Sequence, residues 1–269
     1  MKFTKNAAAV LFRSKTGIRF AWRVRGALNR HLDNFQHDLA KKLAPDERVT
    51  GGPFARMHYP LVNIQSSMTL PKLLGSYEEE LHPEIEAVVG SDYSNVIDIG
   101  CGEGYYAVGL ATRIPGCRVH AFDLDPVALM ATRNLARLNA VSDRIDITEG
   151  CARDQLRHLS VGPRVFILSD CEGAELELID TECLPNAPLI DILIECHDSP
   201  PDTKIADEIR RRFSPTHESR LITSRARQSE RYPRLRGWSS GELEMALSES
   251  RPAGMSWLIL RQRDRGSVV

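Results

Sequence analysis

The sequence predicts an α/β protein in which helices cover both faces of a mostly parallel sheet. Three observations point there. Strand, turn and helix patterns recur in that order from Asn95 onward; a glycine-rich turn joins the first strand to a helix; and Asp125-Pro126 marks a strong helix start. Taken in order, Val96–Ile99 reads as a buried strand and Tyr105–Ile114 as a helix stopped by Pro115-Gly116. Arg118–Phe122 is the next strand, and the helix capped by Asp125 runs to about Asn139. Strands follow at Arg144–Thr148, Val165–Leu168 and Leu189–Ile194, with a helix beginning at Glu175–Ile179. A helix over Lys204–Phe213 precedes strands near Ser219–Thr223 and Ser256–Leu260. Upstream, residues 1–60 read as a helical extension and 61–269 as the main domain. Val24, Leu28, Leu32, Phe35, Leu39 and Leu43 form one apolar stripe, stopped by Pro45. Gly51-Gly52-Pro53 is a break, and Ser76 to Val89 reads as a short helix interrupted at Pro83.

The chain has 269 residues, 42% hydrophobic and 26% charged, enough to bury a sizeable core. No apolar run approaches the ~20 residues needed to span a bilayer, and no secretory leader is recognisable, so a cytoplasmic protein is expected. The six cysteines stand singly without a C-x-x-C pair, which argues for reduced thiols and against a zinc cluster. A net charge of −1 conceals a segregation: basic surpluses before residue 57 and after residue 209 flank a strongly acidic middle. Either the flanks neutralise the acidic body, or they form a basic wall for an anionic ligand. Residues 210–236 carry nine arginines, with Phe213 and Tyr232 their only aromatics. That is thin for a base-stacking platform and argues against nucleic acid.

In such sheets ligands bind beyond the carboxyl ends of the strands. The strongest signal there is Asp98-Ile99-Gly100-Cys101-Gly102-Glu103-Gly104, between the first strand and its helix. Its glycines permit a tight turn and close approach of backbone to ligand at a helix N-terminus. A dinucleotide site needs G-x-G-x-x-G, but Tyr105 stands at the sixth position. Asp98 would repel a pyrophosphate, whereas it would attract a cationic amino-acid ligand such as S-adenosylmethionine, with its ammonium and sulfonium. Asp123, about twenty residues on, closes the second strand where ribose hydroxyls would be bound. Gly150-Cys151-Ala152 then offers small groups and backbone donors beside a flat adenine ring.

These three pieces together resemble the class I S-adenosylmethionine-dependent methyltransferases. Asp170-Cys171-Glu172-Gly173-Ala174-Glu175 resembles the D-x-E-G-A-E signature of the FkbM-type family within that class, as do Gly75-Ser76-Tyr77-Glu78 and Ile194-Glu195-Cys196-His197. The resemblance implies a three-layer, doubly wound sheet of seven strands, the last antiparallel. It also implies methyl transfer from S-adenosylmethionine, usually to a hydroxyl oxygen, on a small-molecule or glycan acceptor. Cofactor contacts would come from Tyr77, Glu78, Asp98, Gly100, Cys101, Gly102 and Gly104, then from Asp123, Leu124, Cys151, Ala152 and Asp170. One departure matters: the family commonly has a Lys two residues before the Asp at 170, where this chain has Leu168.

Methyl transfer is an in-line displacement in which alignment does most of the work and a base removes the proton of a hydroxyl nucleophile. Asp170, Glu172 and His197 are the candidate catalytic residues, with His197 the best base by its intrinsic pKa. Glu175 reads as stabilising the N-terminus of its helix. The carboxylate–imidazole cluster could also hold a divalent metal, although no metal is assigned. No N-P-P-Y or D-P-P-Y segment follows the fourth strand, as expected of enzymes that methylate base amino groups. An N-methyltransferase, an aminopropyl transferase or a non-catalytic cofactor-binding assembly protein could use the same turn. The N-terminal stripe is expected to pair two chains as a homodimer or to close over the site.

Overall fold

The computed structural model describes residues 35–61, 68–171, 173–184, 189–198, 204–249, 251 and 254–263. Seven strands are present: β1 (Asn95–Ile99), β2 (Arg118–Asp123), β3 (Ile145–Glu149), β4 (Val165–Ser169), β5 (Ile190–Cys196), β6 (His217–Thr223) and β7 (Ser256–Gln262). They form one sheet in the order β3-β2-β1-β4-β5-β7-β6. β1 to β5 pair in parallel, and β7 runs antiparallel between β5 and β6. This is the doubly wound, seven-stranded sheet expected.

Side chains alternate between the two faces, as strand geometry demands. Val96, Phe166 and Leu193 enter one core cluster, and Ile97, Ile167 and Ile192 the other. The helices Tyr105–Arg113 and Pro126–Leu138 pack on the first face through Val108, Leu129 and Leu135. Lys204–Phe213 and Glu175–Leu178 pack on the second through Ile209, Phe213 and Leu178. Asp98 has the parity of Val96 and therefore faces the first cluster. Asp125 caps its helix as expected, its side chain accepting from the Val127 N–H, with Pro126 in the first turn.

The N-terminal segment packs into the first cluster. Leu39 and Leu43, from helical residues 35–43, are buried there with Val49, Phe54 and Tyr59. The described end of the apolar stripe is thus covered by the chain's own body; Val24, Leu28 and Leu32 lie outside the described residues. Phe54 sits edge-on to Tyr105 and Tyr106 and presses on Gly109, where a Cβ would come within 2.6 Å of the ring. Glycine is needed there despite its cost in a helix.

Pro83 starts a helix instead of interrupting one: it lies in the first turn of His82–Val89, where its missing N–H leaves no hydrogen bond unmade. Helices over Thr69–Leu74, Arg153–Leu159 and Ser240–Leu247 have no counterpart in the sequence reading. Among the described residues, the basic C-terminal flank pairs with acidic residues of the body. Arg220 pairs with Glu84, Arg231 with Glu79, Arg227 with Glu80 and Glu249, and Arg261 with Glu84 and Asp191.

Candidate active site

The sheet order reverses at β1, whose neighbours β2 and β4 leave in opposite directions, so a crevice opens at their carboxyl ends. The turn after β1 is built there. Gly100 and Cys101 donate to the Phe122 carbonyl at 2.8 and 2.9 Å, and Asp170 N–H donates to the Ile99 carbonyl at 2.8 Å. Gly100 has φ +83°, and a Cβ on it would lie 1.7 Å from the Asp170 carbonyl oxygen, so only glycine fits. Gly102 faces open space, with nothing within 4 Å of its Cβ position. Asp123 braces this turn: Oδ2 accepts from Gly102 N–H and Oδ1 from Asp125 N–H, both at 2.8 Å.

A cavity of about 510 Å³ borders the turn. Tyr77, Glu78, Asp98, Gly100, Cys101, Gly102, Asp170 and His197 line it, so most of the predicted site residues converge. Gly104 lies behind it, against Thr132, while Asp123, Leu124, Cys151 and Ala152 lie beyond its rim. Leu124 is 80% exposed beside Gly150, an apolar surface suited to one face of a flat ring. Glu172 lies outside the described residues.

Among the described residues, six buried side-chain polar atoms lack a hydrogen-bond partner. Three belong to the cavity: both carboxylate oxygens of Asp98 and the hydroxyl of Tyr105. Burial, aided by the charge of Asp170, pushes Asp98 up to about 8. A carboxyl this deep, with only the Ala107 N–H acting to ease its charge, costs free energy unless a cation meets it. A ligand ammonium fits that need.

On the other side of the turn, β4 and β5 bring four groups together. His197 Nδ1 lies 2.6 Å from Glu175 Oε1, and Nε2 lies 3.3 Å from Asp170 Oδ1 and 4.0 Å from Glu195 Oε1. The Glu175 hydrogen bond raises the His197 pKa above the ordinary histidine value, with Asp170 and Glu195 adding to it against the opposing effect of burial. Burial drives Glu195 up to about 8, with the charges of Asp170 and Glu78 acting the same way. Asp170, Glu195 and His197 have donor atoms within 4.8 Å of one another, a spacing that could hold a cation. However, Glu195 Oε1 already receives the Arg251 guanidinium, so this corner carries its own positive charge.

Sequence reasoning missed several residues of this cavity. Arg251 binds Glu78, Glu195 and the Tyr77 hydroxyl, and its guanidinium stacks 5.3 Å from the Trp257 ring. Lys72 is buried against Glu103, which also accepts from the Tyr59 hydroxyl at 2.6 Å. Leu168, where the FkbM pattern has Lys, lines the cavity as an apolar side chain; Lys72 and Arg251 bring positive charge from other elements.

Part of the chain is similar in sequence to known methyltransferases. The family model of ribosomal protein L11 methyltransferase (PrmA) matches residues 83–161. The release factor glutamine methyltransferase of Synechocystis is 32% identical over 123 residues, covering 45% of this chain and 40% of that protein. The tRNA1(Val) (adenine(37)-N6)-methyltransferase of Porphyromonas gingivalis is 36% identical over 83 residues, 31% of this chain and 32% of that protein. The chain therefore spans less than half the length of these relatives. Among solved structures, the precorrin-6y C5,15-methyltransferase of Geobacter metallireducens aligns with a TM-score of 0.46 at 17% identity, covering 67% of this chain and 88% of that one. Sheet order, turn and matched segment are those of a class I methyltransferase fold. Within that class the matching family model is of the ribosomal protein L11 type.

These relatives correct the expected partners. The sequence reading favoured a small-molecule or glycan acceptor and argued against nucleic acid, whereas the relatives' names specify a release factor, a ribosomal protein and a tRNA. Most arginines of 210–236 with described contacts pair with carboxylates of the chain itself. At the described end of the N-terminal stripe, Leu39 and Leu43 are buried in the chain's own core while Phe35 is exposed. No helix among the described residues is long and apolar enough to cross a membrane.

The Asp98 geometry makes the first prediction. Binding an ammonium requires the ionised carboxylate, so affinity for S-adenosylhomocysteine should rise between about pH 6 and about pH 8, by at most about tenfold per unit. The sign follows from a carboxyl that is protonated below about 8 when no cation meets it. Calorimetry at several pH values checks the slope, and Asp98→Asn should flatten it and weaken binding. A slope that survives in this variant belongs to another group.

Proposed function

We propose that this protein is an FkbM-type methyltransferase that moves the methyl group of S-adenosylmethionine to a hydroxyl oxygen carried by a protein or nucleic acid. The observation that supports it best is His197 held between Asp170 and Glu175 at the edge of the cofactor turn. A hydroxyl must lose its proton as it attacks, and this cluster can accept one. The turn after β4, Ser169-Asp170-Cys171, has no N-P-P-Y-like segment of the kind expected for amino groups of bases. The relatives' named acceptors favour a macromolecule.

When bound, the cofactor supplies a methyl carbon activated by its sulfonium. Asp98 would hold the ammonium, the Gly100–Gly102 backbone would lie along the amino-acid portion, and Asp123 would receive the ribose hydroxyls. Leu124, Cys151 and Ala152 would flank the adenine. That methyl group would pass to the acceptor oxygen, with the cofactor leaving as the neutral thioether S-adenosylhomocysteine. The acceptor proton passes to His197 Nε2, and Asp170 and Glu175 stabilise the resulting imidazolium.

Incubating the protein with methyl-labelled S-adenosylmethionine and fractionated cell extract tests this reading. Label should enter a protein or RNA fraction, and mass spectrometry of the digest should place it on oxygen. Label found on nitrogen, or confined to small molecules, would overturn the acceptor assignment.

A further inference from the structure

We infer that Glu175 is the positioning residue of this site, fixing His197 in the tautomer that turns Nε2 toward Asp170 and the cavity. Its catalytic consequence rests on the methyl-transfer reading above; its geometry does not.

Glu175 is fully buried, an unusual place for a carboxylate. Its Oε1 accepts from the Gly173 N–H at 3.1 Å and lies 2.6 Å from His197 Nδ1. The shorter contact is not to the backbone of its own four-residue helix but to a side chain 22 positions away, on the loop after the neighbouring strand. A carboxylate can only accept, so Nδ1 carries the hydrogen. In the neutral ring Nε2 then keeps its lone pair, 3.3 Å from Asp170 Oδ1 on the cavity wall. Without this contact the ring would be free to place its hydrogen on Nε2, where it could bond to Asp170 and could no longer take a proton from an acceptor.

The charge of Glu175 matters as well as its shape. Burial pushes its carboxyl up, but the His197 hydrogen bond and backbone N–H groups outweigh this and hold it below the usual value. Among the described residues, the groups facing the imidazole are Glu175, Asp170 from the end of β4, and Glu195 from β5, the last offset by Arg251 from the segment before β7. The hydrogen bond to Glu175 and the charge of Asp170 favour the imidazolium that forms when His197 accepts a proton.

Nitrogen-15 NMR of the histidine side chains tests this without any acceptor. In the wild-type protein the neutral form of His197 should be the Nδ1–H tautomer, assigned by comparison with His197→Gln. Glu175→Gln preserves an acceptor oxygen but not the charge, so the His197 titration should move down by about 1–3 pH units. The acid limb of the kcat profile should move with it, whereas a purely structural Glu175 would leave both limbs in place. Glu175→Ala, which removes the acceptor too, should also scramble the tautomer. A wild-type Nε2–H tautomer, or a titration unchanged in Glu175→Gln, overturns the inference. Should the tautomer and titration behave as stated while turnover is indifferent to His197, the positioning stands and the proton-transfer reading fails.

Discussion

Replacing His197 by Ala, or Asp170 by Asn, is expected to lower kcat by ~10²-fold or more; the His197 variant should leave affinity for S-adenosylhomocysteine nearly unchanged, whereas the Asp170 variant also removes a charge that acts on Asp98. The asymmetry follows from where these groups sit. Asp98 and the Gly100–Gly102 turn occupy one side of the cavity, and the His197 cluster occupies the side reached from β4 and β5. A group that takes the acceptor's proton matters as the new bond forms, not when the cofactor binds. The wild-type rate should also rise with pH through the elevated His197 pKa, because only the neutral imidazole can act as base. Steady-state kinetics with an acceptor from the labelling experiment, with calorimetry on the same variants, check both points. Near-normal turnover in both variants would mean that alignment alone drives transfer. Loss of activity with a chelator and recovery with a divalent ion would instead make Asp170, Glu195 and His197 metal ligands.

What was legible in the sequence was local. The strand Val96–Ile99, the Gly100–Gly104 turn and the Asp125-Pro126 cap each put their signal within a few consecutive residues, and the structure has all three. The helix Ser240–Leu247 was legible in principle: Ser239 and Glu242 form a reciprocal capping box, an S-x-x-E pattern passed over. The partners of Glu175 and Glu195 were not legible. Glu175 reads naturally as a helix-terminal carboxylate because its local position fits one, and only the β4–β5 register reveals His197 beside it. Arg251 lies 56 residues from Glu195 and 173 from Glu78, in a segment without periodicity or motif, and no spacing rule connects them. The acceptor was beyond reach for a related reason. It depends on surfaces outside the glycine turn, where the sequence carries no recognisable motif.

Replacing Arg251 by Met, which keeps much of its length but not its charge, is expected to destabilise the protein by about 3–5 kcal/mol at pH 8. Arg251 is the shared counter-ion of Glu78, Glu195 and Glu249, all buried, and its own side chain is only 9% exposed. Arg227 partners Glu249 and Glu80 but makes no ion pair with Glu78 or Glu195, so it cannot replace Arg251 there. The variant would leave carboxylates in the interior that must either stay charged without a partner or take up protons. This fixes the pH dependence. Glu195 already sits at about 8, and burial raises Glu249 too, so each binds its proton more tightly in the folded state than in the unfolded chain. Such a group contributes stability below the ordinary carboxylate range, and that contribution is lost as pH climbs toward the folded value. Removing Arg251 pushes both groups further up and widens the window of loss. Urea unfolding should therefore show a deficit that shrinks from pH 8 to about pH 6, as protons take over part of the neutralisation. A deficit under about 1 kcal/mol, or one independent of pH, would mean that Glu78 and Glu195 are neutralised by some other group.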